Sequence, residues 1–143
     1  MAKFDRTATA VWQGAGKDGM GRLSTASGVL KDAGYAADMR FGDRPGTNPE
    51  ELIAAAHAGC YAMALSFALQ RAGFTSEKLE ASATVTVEQS DKGFDITRSA
   101  LTVKATVPGI SKEKFMEAAE GAKAGCPVSK ALKVDITLDA SLA

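Results

Sequence analysis

The sequence predicts a mixed α+β chain, and two patterns carry that expectation. One is a long, nearly uninterrupted apolar helical segment opened by Asn48-Pro49; the other is a set of period-two segments lying before and after it. At 143 residues, with 45% hydrophobic and 24% charged content, the chain is expected to form a single domain over 1–143, with a core large enough to fold unaided.

Residues 6–13 alternate small and polar types as far as Trp12, and Gly14, Gly16, Gly19 and Gly21 then break the pattern. This predicts strand, glycine-rich turn, strand. The same glycines invite a phosphate-loop reading, but no Gly-Lys-Ser/Thr follows and no clear apolar strand leads into a helix, so a hairpin is the better reading. Two further short strands are expected over 23–30 and 36–41.

Asn48 as cap, Pro49 in the first turn and Glu51 three residues after the cap mark a helix start. Leu52, Ile53, Ala56, Cys60, Met63, Ala64, Phe67 and Ala68 then recur at helical spacing, with mostly alanine between them. Such a helix must be buried on most sides, either wrapped by a sheet, or partly covered by a second subunit, or both. Gly73 is its natural C-cap.

Leu79, Ala81, Ala83, Val85 and Val87 alternate with polar residues, as a strand with one buried face requires, and Ser90-Asp91-Lys92-Gly93 turns the chain. The returning strand starts with Phe94 and Ile96 on one parity and continues with Leu101, Val103, Ala105 and Val107 on the other. A bulge between Thr97 and Ala100 is expected. Pro108-Gly109 ends this strand, and Ser111 opens a second helix that runs to Gly125. Cys126-Pro127 starts a short helical turn, and Val134, Ile136 and Leu138 form the last strand.

Seventeen Lys plus Arg balance seventeen Asp plus Glu. No net field steers the protein toward nucleic acid or an anionic membrane surface. The first residues carry charge at Lys3, Asp5 and Arg6 and lack the apolar stretch of a signal peptide or membrane span. A cytoplasmic location with reduced thiols is the expectation.

The chemistry rests on the two cysteines, Cys60 and Cys126. Cys60 lies within the apolar helix, where desolvation raises a thiol's pKa, so it needs a cationic partner to react. Cys126 precedes Pro127 and could cap a helix start, a placement that favours its thiolate. Two buried, inert cysteines remain the bland alternative.

His57, three residues before Cys60, could join both sulfurs on a metal, but a fourth ligand is lacking. A thioredoxin-type pair would want Cys-x-x-Cys, and no Gly-x-Ser-x-Gly elbow supports a serine hydrolase. A nucleophilic thiol with a distant resolving thiol, as in peroxide reduction, remains. Arg22, Arg40 and Arg44 are available to stabilise a thiolate and a leaving oxygen. Glu50 is ten residues before Cys60, about 15 Å along a helix, so it could act only through an arginine; first-turn helix stabilisation is its other reading.

Three segments carry a resemblance that covers essentially the whole chain: Gly-Thr-Asn-Pro-Glu-Glu-Leu-Ile at 46–53, His-Ala-Gly-Cys at 57–60 and Lys-Ala-Gly-Cys-Pro-Val-Ser at 123–129. The chain resembles the OsmC/Ohr family. Within it, Asp38-Met39-Arg40-Phe41 and the residues from Pro45 to Glu51 are similar to the OsmC branch.

The resemblance implies curved antiparallel sheets around a long central helix in an intertwined homodimer. It implies a cysteine-based peroxidase acting on organic hydroperoxides, with Cys60 attacking, Cys126 resolving, and Arg40 and Glu50 as the activating pair. It further implies no metal, haem or flavin, and recycling by an external dithiol such as a dihydrolipoyl group. The capping argument names Cys126 as the more acidic sulfur; the resemblance names Cys60 as first attacker, and an arginine partner can reverse the burial penalty there. A non-catalytic, stress-associated small-ligand-binding protein is the rival reading.

Overall fold

The glycine run makes the expected hairpin. β1 (Ala8–Gln13) and β2 (Met20–Thr25) pair antiparallel with Trp12 opposite Gly21. Gly14 turns the chain at φ 94°, a conformation that suits glycine. The Gly19 N–H donates to the Ala15 carbonyl at 2.7 Å and the Trp12 indole N–H to the Gly14 carbonyl at 3.1 Å. Gly21 is small for a separate reason: a Cβ there would run into the rings of Tyr35 and Trp12, whose centroids are 5.4 Å apart.

The strand expected over 23–30 stops at Thr25. The Thr25 hydroxyl accepts from the Leu30 N–H at 3.1 Å, and the Thr25 N–H donates to the Leu30 carbonyl at 3.0 Å, so local bonding folds this stretch into a loop. β3 (Ala33–Tyr35) then joins β2 to complete the order β1-β2-β3. The strand expected over 36–41 is instead a helical turn, α1 (Ala37–Arg40), made of good helix formers with Asp38 in its first turn. These elements belong to a unit spanning Met1–Pro49. The computed structural model describes residues 1–143, and its second unit spans Glu50–Ala143.

α2 (Pro49–Arg71) starts on Pro49, with Glu50 and Glu51 placed where free backbone N–H groups gather. It closes at Gly73, φ 90°, where the Gly73 and Phe74 N–H groups donate to the Gln70 and Leu69 carbonyls at 3.0 and 2.9 Å. This is a Schellman closure. His57, Tyr61, Leu65 and Leu69, spaced four apart, form its fully buried stripe. The Tyr61 hydroxyl donates to the Ala119 carbonyl at 3.1 Å.

The expectation of burial on most sides fails within one chain. Met63 and Phe67 are 64% and 53% exposed, because the sheet covers only one face of the helix and that face is turned away from them. By length and composition α2 could also cross a bilayer, yet its buried stripe joins Leu101, Val103, Ala105 and Phe115 in a single core cluster.

β4 (Lys78–Ser90) and β5 (Gly93–Thr106) form a long antiparallel hairpin. Thr86 pairs with Arg98 and Val87 with Ile96, which leaves Thr97 as the extra residue. The bulge thus falls at the first residue of the expected window. It resets parity and brings Ser99, Leu101, Val103 and Ala105 into one buried row.

α3 (Lys112–Gly125) begins as expected at Ser111, whose hydroxyl accepts from the Lys114 N–H at 3.2 Å. α4 (Pro127–Ala131) follows directly. Because these helices carry the chain back along the sheet, β6 (Asp135–Leu142) pairs parallel with β5. The α+β class and the long helix are as expected, and this one parallel pairing departs from wholly antiparallel sheets.

Candidate active site

Two helices bring the sulfurs together. Cys60 lies midway along α2 and is partly exposed, while Cys126 sits at the start of α4 and is fully buried. The Cys126 N–H donates to the Ala122 carbonyl at 2.9 Å and the Lys130 N–H to the Cys126 carbonyl at 3.1 Å, so one residue ends α3 and begins α4. Pro127 at the first helical position enforces that junction.

The sulfurs are 2.7 Å apart and both are free thiols. A disulfide bond measures about 2.05 Å, so closure needs an approach of about 0.7 Å. At this separation the pair can share one proton. Burial pushes the Cys60 thiol up, and the bond with Cys126 raises it further against an opposing contribution from the Val128 amide. Burial also acts upward on Cys126, but the Cys60 thiol, the Ser129 amide and hydroxyl, and the Val128 amide together outweigh it and hold Cys126 below the ordinary thiol value. Cys126 makes no conventional capping bond through its side chain; the amides act on it electrostatically from the first turn of α4.

His57, one turn before Cys60, is fully buried and turns both ring nitrogens to hydroxyls: Nδ1 to Ser99 Oγ at 2.6 Å and Nε2 to Ser129 Oγ at 2.8 Å. Burial lowers its pKa, so the ring is neutral near pH 7. Both nitrogens serve hydroxyls on β5 and α4, which differs from the metal-ligand arrangement considered from the sequence. Ser99 and Ser129 were not singled out from the sequence. A signal for Ser99 existed, since it is the polar member of an otherwise apolar i, i+2 row.

Glu50 occupies the first turn of α2 and is buried at 6% exposure. Arg40 ends α1 in the first unit, with its guanidinium 4.9 Å from the Phe41 ring centroid. There it lines a hollow of about 150 Å³ together with Trp12, Tyr35 and Phe41. Arg44, the other arginine of that loop, pairs with Asp38 at 3.5 Å. In the second unit a groove of about 700 Å³ runs along α2 and α3, lined by Ala64, Phe67 and Ala118 and by Gly125 and Pro127 on either side of Cys126.

A thiol on a long helix meeting a second thiol at a helix start, over a mixed sheet, defines an α+β dithiol redox protein. Residues 41–141 match the OsmC-like protein family model. The chain is 50% identical over 131 residues, 92% of each sequence, to the peroxiredoxin OsmC of Escherichia coli. It is 29% identical over 122 residues to the organic hydroperoxide resistance protein OhrB of Bacillus subtilis, covering 83% of this chain and 88% of that one. The fold also matches an OsmC-like protein of unknown function from Vibrio cholerae, with a TM-score of 0.77 at 14% identity over 96% of this chain and 99% of that one. The chain belongs to the OsmC-like family.

Proposed function

We propose that this protein is a thiol-dependent peroxidase that reduces organic hydroperoxides to alcohols. The observation that carries the reading is the 2.7 Å meeting of two free thiols, in a chain related to proteins named peroxiredoxin and organic hydroperoxide resistance protein.

Cys60 is the attacking sulfur, since it is partly exposed and Cys126 is sealed. Its thiolate attacks the O–O bond: an S–O bond forms, the O–O bond breaks, and the departing alkoxide takes a proton to leave as alcohol. Cys126 then displaces hydroxide from the Cys60 sulfenic acid, giving a disulfide and water. Arg40 stabilises the Cys60 thiolate and the leaving oxygen, and Glu50 orients Arg40. Support for Glu50 comes from its burial, since a carboxylate out of water requires donors or a cation. The Ala64, Phe67 and Ala118 side of the groove beside Cys126, which also carries Arg71, Lys114 and Glu117, suits alkyl or fatty-acid chains with a polar end.

An external dithiol, with a dihydrolipoyl group as the chemical class, reopens the disulfide, and no prosthetic group takes part. The chain acts as one functional domain in an intertwined cytoplasmic homodimer. The open Met63 side of α2 supports that assembly. Met63→Glu is expected to shift the sedimentation of the protein from dimer to monomer.

The deciding experiment adds one equivalent of cumene hydroperoxide to reduced protein and counts free thiols. Loss of both in the wild type, and retention of the one remaining thiol, Cys126, in Cys60→Ser, is expected. Unchanged thiols in the wild type would turn the reading to the small-ligand-binding rival.

A further inference from the structure

We infer that His57 is a positioning residue for Cys126: acting through Ser129, three residues past Cys126 in the first turn of α4, it sets which way the hydroxyl proton points and so keeps the resolving sulfur ready for the Cys60 sulfenic acid. The inference rests on the peroxidase reading for its purpose, but not for its first test.

Ser99 lies in a core row with Leu101 and Val103, and His57 lies in a stripe with Tyr61 and Leu65; both are fully buried. Polar groups at such positions destabilise a core unless every one is bonded, and apolar residues would have filled the space. Instead an unbroken string runs Ser99, His57, Ser129, with contacts of 2.6 and 2.8 Å. Ser129 stands three residues after Cys126 in the first turn of α4. Within that turn its amide and hydroxyl both favour the Cys126 thiolate.

Such a string has a direction. A neutral imidazole offers one N–H and one acceptor nitrogen, and each hydroxyl has one proton. When Ser99 donates to Nδ1, Nε2–H donates to Ser129 Oγ, and the Ser129 proton is left for a thiolate at Cys126. When Nδ1–H donates to Ser99, Ser129 donates to Nε2, and its oxygen can only accept from a Cys126 thiol. The two tautomers of one buried ring therefore match the two protonation states of one sulfur. Burial is the only cause of the His57 shift, with no charged neighbour contributing, so the ring stays neutral in both settings. In the resolving step the S–S bond forms, the Cys60 S–O bond breaks and the hydroxide takes a proton from solvent; Cys126 is oxidised and the sulfenic sulfur reduced. Ser129 then loses its thiolate acceptor and the ring is free to switch.

The test follows the Cys126 thiolate by its ultraviolet absorbance against pH in a Cys60→Ser background, without peroxide. Ser129→Ala is expected to raise the midpoint by about one pH unit, and Ser129→Thr, which keeps the hydroxyl, to restore it. His57→Phe should raise the midpoint as well, and the double variant with Ser129→Ala should go no further than the larger single shift. Additive shifts, or an unmoved midpoint in Ser129→Ala, would overturn the inference. Where His57→Phe fails to fold, Ser129→Ala and its threonine rescue decide alone. In the two-cysteine protein, Ser129→Ala should raise the overoxidised fraction of Cys60 several-fold by mass spectrometry. The cumene hydroperoxide assay on the wild type judges the peroxidase reading separately.

Discussion

Cys60 sits in the middle of a 23-residue helix and is partly exposed, whereas Cys126 sits at the start of a five-residue helix and is fully buried. The first has access without acidity: burial and its neighbour push its pKa up. The second has acidity without access: backbone amides and hydrogen bonds bring its pKa down. The two requirements of a redox thiol are thus divided between two elements, and the 2.7 Å contact lets each supply what the other lacks.

Breaking the accessible half should have the largest effect. Cys60→Ser is expected to reduce peroxide-driven turnover to background, read by hydroperoxide consumption. Breaking the acidic half should come next. Cys126→Ser is expected to consume at most three equivalents of peroxide and then stop, as Cys60 passes through the sulfenic acid and gains two or three oxygens by mass spectrometry.

Weakening the proposed activation of Cys60 should cost less. Arg40→Lys keeps the charge but loses the planar fork, and Glu50→Gln removes the charge that would orient it. Each is expected to lower kcat/KM by about 10²-fold in a coupled assay with a small dithiol.

The smallest effect sharpens the comparison itself. The first proton of the pair should leave below the ordinary thiol value and the second above it. Cys126, with its lowered value, stabilises the fold as thiolate, fully above the unfolded value and no longer once pH has fallen through the folded one. Cys60, with its raised value, stabilises the fold as thiol, fully below the unfolded value and progressively less as pH rises through the folded one. Cys126→Ser removes two of the influences that raise Cys60, so ultraviolet thiolate absorbance should titrate at lower pH for Cys60 in that variant than for the second step of the wild type.

Local signals were legible where the chain decides its own conformation. Pro49, Gly73, Ser111 and the Cys126-Pro127 junction each act within one turn of backbone, and all four mark observed helix ends. The parity change in β5 likewise revealed a bulge, since side-chain alternation is set by the strand itself. Local signals failed where a side chain captured the backbone, as Thr25 does with Leu30, and at 36–41, where helix formers made a turn of helix.

The sequence by itself determined the α+β class, the two sulfurs and the helix start at Cys126-Pro127, because these depend on residues close together along the chain. Only the tertiary structure decided which face of α2 is buried and that the pairing of β5 with β6 is parallel. It also decided that Ser99, His57 and Ser129 meet beside the thiols. These contacts join residues 42 and 72 positions apart; helical spacing fixes which residues share a stripe, but only packing against the sheet decides which stripe is buried.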